Sequence, residues 1–214
     1  MDYFTKSRVE TFSDGIFAII VTLLVLELKA PHLEAPASVS QLAGALWALA
    51  PKFIAWVISF LTVCVIWVNH HRIFESVRHI NHAFFWLNAN LLLWVSFMPF
   101  PTALLGDYPE NKLAVSFYGV VSILMGLAFL LMRVYMWRHP EITKGFSAGQ
   151  LRRGARNVLL FGPTFYFIGT VAAWFHTHVA FVCYAFVAIY FIFPNSARLG
   201  QAQEANATSA DGPG

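Results

Sequence analysis

The sequence predicts an all-α membrane protein with six transmembrane helices per subunit and both termini cytoplasmic. Three observations predict it. Hydrophobic residues make up 58% of the 214-residue chain and charged residues only 12%, against about 25% charged in soluble domains. The uncharged intervals between charged residues have the length of a membrane crossing. The Lys and Arg residues fall predominantly on one side once those crossings are drawn.

The elements follow from the charge gaps. The first span, 5–28, is the exception: only the twelve residues Gly15 to Leu26 separate Asp14 from Glu27. The interval between Lys52 and Arg72 holds 19 uncharged residues and predicts a helix over 42–70. Between Arg78 and Asp107 lie 28, which predict 80–105, and between Lys112 and Arg133 lie 20, which predict 113–137. The 41 uncharged residues between Arg156 and Arg198 are too many for one crossing. They divide at His176-Thr177-His178, the most polar point, into 154–174 and 178–194. Pro31, Pro36, Pro109, Pro140 and Pro194 stand in gaps or at ends, where a residue without an N–H belongs. Pro99, Pro101 and Pro163 fall inside spans, where neighbouring helices must satisfy the freed carbonyls. On span four, Gly119, Ser122 and Gly126 form a small-residue packing face.

Six spans put eleven Lys and Arg residues on the side of the termini and three, Lys29, Lys52 and Lys112, on the other. Both termini are therefore expected in the cytoplasm. The opening helix is expected to stay in the mature chain, because Asp14 interrupts its apolar run. Residues 1–196 read as one six-helix transmembrane domain, and 197–214, small and polar, as a disordered cytoplasmic tail. No loop is long enough for a soluble domain, so function is expected within the membrane. Cys64 and Cys183 lie in apolar runs, which argues against a disulfide framework. No P-loop, dinucleotide glycine pattern, HExxH or nucleophile with an obvious base is present, so no enzyme is expected, and nothing points to a nucleic acid.

The first helix is the unusual one. At about 100° per residue, Phe12, Ile16, Ile19, Leu23 and Leu26 share one stripe, with Thr22 beside it. Asp14 points to roughly the opposite side. A carboxylate in the membrane must face protein or water, so the Ser13 and Asp14 side is expected to face the other helices of the subunit. The stripe then meets lipid or another copy of itself. From the pattern alone it is either a packing surface or the lining of a pore.

Arg8-x-x-x-Phe12-Ser13-Asp14, followed by GIFAIIVTLLVLEL, resembles the signature of the transmembrane protein 175 family, potassium-permeable channels of bacteria and of endolysosomal membranes. The resemblance extends to the six-span layout and both cytoplasmic termini. It implies that the first helices of the subunits surround the axis of a pore. By position Ile19 would be the principal constriction, with Leu23 and Leu26 as further rings and Thr22 beside the bottleneck as an ion-selectivity candidate. One Phe-Ser-Asp copy implies the bacterial arrangement, a homotetramer in the plasma membrane, with K⁺ as the permeant ion and no cofactor. The carbonyl filter of other potassium channels has no counterpart, since no TVGYG-like loop occurs. Weaker K⁺ over Na⁺ discrimination is therefore expected. Glu27 would form a ring of carboxylates at the extracytoplasmic mouth, or else lies at the interface beside Lys29.

A second polar signal is WVNHHR at 67–72, then RHINH at 78–82 and NAN at 88–90, all at the depth of Ser13 and Asp14. Buried polar groups need partners. Asn69, His70, His71, Asn88 and Asn90 are the candidates to hold Arg8, Ser13 and Asp14, with the pairing open. His79 and His82 are interfacial or, being three apart, a weak metal pair. No Cys or carboxylate completes a metal site there except Glu75, so none is expected. The alternative function is a small secondary transporter of cations or protons, against which stands the absence of an inverted repeat.

Overall fold

The structure is a computed structural model and describes residues 5–32, 38–144 and 148–192, leaving side chains aside at 148, 150, 151 and 153. The expected tail, 197–214, lies outside the described residues. Within them the chain is all-helical: α1 (Lys6–Leu23), α2 (Val39–Ala48), α3 (Ala50–Ser76), α4 (His82–Phe97), α5 (Pro99–Asp107), α6 (Lys112–Arg138), α7 (Ala148–Phe161), α8 (Pro163–Ala172) and α9 (Thr177–Ile192). Short 3₁₀ turns follow α1 and α6, at Leu24–Glu27 and Pro140–Ile142.

Among the described residues, four rods are long and apolar enough to cross a membrane: Lys6–Glu27, Ala50–Ser76, His82–Asp107 and Lys112–Arg138. The helices after Arg138 are shorter. The spans expected over 80–105 and 154–174 are each broken by proline. Pro99 starts α5 after Met98, and Pro163 starts α8 after Gly162. Each proline removes one amide donor and crowds the carbonyl four residues earlier, so a new helix begins there. The span expected over 42–70 begins beyond Leu49, behind the separate short α2, and runs on to Ser76. Side-chain caps mark three starts: Asn81 accepts from Phe84 N at 2.9 Å, Asn111 from Leu113 N at 2.9 Å, and Ser38 from Gln41 N at 3.4 Å.

Helix α6 is the hub. Its most apolar 18 residues are 56% buried, against 28–33% for the other three rods, so it is the one most fully enclosed by protein. It packs against α4, α5, α7, α8 and α9. Two glycines permit the close approach. A Cβ on Gly119 would lie 2.0 Å from Thr170 Oγ1, and one on Gly126 would lie 2.9 Å from Pro163 Cγ. Buried hydroxyls pair between helices. Thr102 donates to Ser59 at 2.7 Å, Ser59 to Tyr118 at 3.2 Å, and Tyr184 to the Val115 carbonyl at 3.0 Å. At one end of the bundle Lys52 pairs with Asp107. At the other, the segments after α3 and α6 are tied together: Arg78 N donates to Ile142 O at 2.7 Å and Lys144 N to Ser76 O at 2.9 Å. That end carries Arg72, Arg78, Arg133, Arg138 and Lys144.

Candidate functional site: the two faces of the first helix

Helix α1 leans on α3 and α4 with one face. Val9, Ser13, Phe17, Ile20 and Leu24 recur at three- and four-residue spacing and are all buried, Ser13 and Leu24 completely. Nothing among the described residues covers the opposite face. Ile19 is 59% exposed and Leu26 65%, with Phe12 and Leu23 exposed beside them. Ile16 is half-buried at the margin of the stripe.

Thr22 is exposed on this outward side. Its hydroxyl donates back to the Ile19 carbonyl at 2.7 Å and lies 3.2 Å from that of Ala18. The hydroxyl proton is thus committed to the helix backbone. The oxygen lone pairs remain as acceptors on the outward side, which is the polarity a cation requires. No other oxygen-bearing side chain interrupts the outward stripe between Phe12 and Leu26.

The inward face holds the polar chain. Ser13 Oγ donates to Val9 O at 2.8 Å and accepts from Asn88 Nδ2 at 3.0 Å. Asn88 Oδ1 lies 2.8 Å from His70 Nε2. Because the Asn88 amide nitrogen is spent on Ser13, its oxygen is the acceptor and His70 donates through Nε2. All three side chains are buried, 1% exposed or less. The His70 ring is clasped between Phe17 and Phe74, with centroids at 5.3 and 4.3 Å. Helices α1, α3 and α4 are therefore joined through one uninterrupted hydrogen-bonded chain.

Asp14, half-buried, takes a different partner from those the sequence suggested. Its Oδ1 accepts from Trp67 Nε1 at 2.9 Å. Trp67 stacks on His71, 6.2 Å between centroids, and His71 Nε2 lies 3.5 Å from Glu75 on the same helix. Trp67 was legible in principle: it stands one turn before His70 and His71, and an indole N–H at membrane depth requires an acceptor. The remaining candidates stand apart. Asn69 Nδ2 donates to Val65 O on its own helix at 2.8 Å. Asn90 is half-buried outside the Ser13 chain. Arg8 is exposed and forms no ion pair with Asp14. His79 is exposed, and His82 accepts from Trp86 Nε1 at 3.0 Å, away from α1. Among the described residues no cluster of three or more His, Cys, Asp or Glu could hold a metal ion.

Glu27 closes the 3₁₀ turn, half-buried, and lines a small crevice with Lys52, Trp56, Thr102 and Asp107. Glu27 therefore shares its crevice with Lys52, a cation already paired with Asp107.

The family model for the endosomal/lysosomal potassium channel TMEM175 matches residues 8–99, which run from Arg8 in the first turn of α1 through α2, α3 and α4 to the Pro99 break. A potassium channel from Chamaesiphon minutus is 38% identical over 201 residues, covering 89% of this chain and 95% of that protein. A potassium channel from a Chryseobacterium is 31% identical over 191 residues, covering 89% and 94%. Among solved structures, the lysosomal potassium-selective channel TMEM175 homologue from Chamaesiphon minutus superposes with a TM-score of 0.75 at 34% identity, covering 87% of this chain and 96% of that one.

Proposed function

The chain belongs to the TMEM175 family of potassium channels, a channel family and not an enzyme family, and we propose that the outward face of α1 lines its ion pathway. Four copies of the chain surround one axis, each contributing α1, in a closed ring with a heterologous interface. Ile19 forms the narrowest point, Leu23 and Leu26 form further rings, and K⁺ passes through them. The assembly is a multi-pass protein of a bacterial plasma membrane, in which six spans leave both termini in the cytoplasm and the helices of 1–196 form the channel domain.

The observation that carries this reading is the division of α1 into a buried polar face and an uncovered aliphatic one. A helix facing lipid needs about 20 apolar residues. This one has twelve uncharged residues between Asp14 and Glu27, a span that suits a helix whose bare face is covered by its own copies. Ile19, Leu23 and Leu26 offer an ion no ligands, so a narrow ring of them dewets and blocks. Conduction requires the ring to widen until water accompanies the ion. Discrimination then rests on the cost of partial dehydration, which the Thr22 oxygens offset for the better-fitting ion. The Ser13–Asn88–His70 chain and the Asp14–Trp67 bond set the rotation of α1 and so decide which residues meet the axis. Four Glu27 carboxylates at the extracytoplasmic mouth raise the local cation concentration.

The test is K⁺ and Na⁺ current across planar bilayers for the native chain and Ile19→Asn. The reading expects current from the native chain and a larger or less selective one from the variant, because an amide wets the constriction. Folded, tetrameric protein without current from either chain would favour the secondary-transporter alternative.

A further inference from the structure

The basic end of the bundle contains a charge that no carboxylate among the described residues balances. Arg133 lies five residues before the end of α6, about 7 Å in from the helix terminus. Its Nε is buried and meets no hydrogen-bond acceptor. Its guanidinium packs over the Phe129 ring at 5.3 Å, and Nη1 occupies the space where Gly154 of α7 lacks a side chain, 2.5 Å from an ideal Cβ there. The charged group acting on it is a second cation, Arg72 of α3. Arg152 of α7 lies 5.9 Å over the Trp137 ring one turn along α6. Among the described residues no carboxylate pairs with any of these three. Glu75 and Glu141 face His71 and His139, and Asp14 is bonded to Trp67.

Partly burying a guanidinium without an anion is unfavourable, and a neighbouring like charge adds to that. Such an arrangement persists where an anion completes it. We propose that Arg133 and Arg72 form a binding site for the phosphodiester of an anionic lipid headgroup, between α3 and α6 and beside Gly154 of α7. A guanidinium fork matches two phosphate oxygens. The reason to choose a lipid over a free anion is the order of residues along α7. Arg152 and Arg156 come first, and one turn deeper Leu159 and Leu160 are exposed, the same polar-to-apolar sequence as a headgroup followed by its acyl chains.

The experiment is thermal unfolding of the full chain in detergent micelles doped with phosphatidylglycerol, with phosphatidylcholine, or supplied with inorganic phosphate alone. Phosphatidylglycerol is expected to raise the midpoint by about 2–4 °C, and the other two to leave it unchanged. Arg133→Met keeps the length of the side chain and removes the charge. It is expected to be at least as stable as the native chain in phosphatidylcholine and to lose the response to phosphatidylglycerol. Arg72→Gln, at an exposed position, is expected to need a higher phosphatidylglycerol fraction for the same rise. An Arg133→Met variant that is less stable in phosphatidylcholine, or that keeps the full response, would assign Arg133 a packing role and overturn the site. An equal rise with phosphate alone would overturn the lipid assignment in favour of a free-anion site.

Discussion

At the scale of single residues, what α1 requires is a fixed rotation, and three side chains on three helices supply it. Asn88 is the one member that touches both others, through its nitrogen to Ser13 and its oxygen to His70. Asn88→Ala strands the His70 N–H in a dry interior and removes the Ser13 partner, so it is expected to cost roughly 1–2 kcal/mol. Ser13→Ala added to Asn88→Ala should then cost little more, because Ser13 keeps only its bond to Val9 O. A double-mutant cycle on thermal or denaturant unfolding reads this directly, and strictly additive costs would mean that the groups do not act as a chain. Thr22 supports a prediction of a different kind. Thr22→Val preserves the shape and deletes the only side-chain oxygen of the outward stripe. The K⁺ to Na⁺ permeability ratio from reversal potentials is expected to fall. An unchanged ratio would assign discrimination to the aliphatic rings alone. The division of α1 into faces was readable from the sequence, since a polar residue at membrane depth must turn toward protein. The pairing was not, because five Asn and His side chains at one depth satisfy the same requirement. Trp67 took Asp14 because a neutral indole N–H serves a carboxylate without bringing a second charge into the interior.

At the scale of elements, the positions of rods were legible and their interruptions were not. Charge gaps report how much chain avoids charge, and a proline inside a gap leaves the gap intact. Pro99 and Pro163 divide their spans into α4 with α5 and α7 with α8, while Pro101 stays inside α5. Pro163 also serves packing, because Gly126 of α6 lets its ring approach. The small-residue face of α6, Gly119, Ser122 and Gly126, was visible as spacing, and its consequence can be measured. A methyl at Gly119 would meet the Thr170 hydroxyl at 2.0 Å and the Tyr184 hydroxyl at 2.4 Å, with both groups hydrogen-bonded to backbone carbonyls. Gly119→Ala is therefore expected to destabilise by about 1–3 kcal/mol through overpacking. Gly44 in α2 has open space at the same position. Gly44→Ala is expected to gain about 0.5–1 kcal/mol from helix propensity. Unfolding midpoints of the two variants in one detergent should move in opposite directions, and a common direction would contradict the packing at α6.

At the scale of the whole molecule, a single chain leaves its most specific surface bare. A monomer that exposed Phe12, Ile19, Leu23 and Leu26 to lipid would suffer no penalty from them. Asp14 is met by Trp67 within the subunit, so the bare stripe has two candidates for its cover, lipid or further copies of itself. Stoichiometry is measurable through the proposed constriction itself. If four subunits each present Ile19 to one axis, equal co-expression of native and Ile19→Asn chains yields only about one channel in sixteen free of the asparagine. A single amide in the ring wets the constriction locally, so nearly all channels should differ from native, in several conductance classes set by subunit number. Single-channel recordings from the mixture are expected to show those intermediate classes and few native events. Two classes in equal numbers, native and mutant, would mean that each chain conducts alone. The axis would then have to be sought inside the subunit, and the bare face of α1 would be a lipid surface.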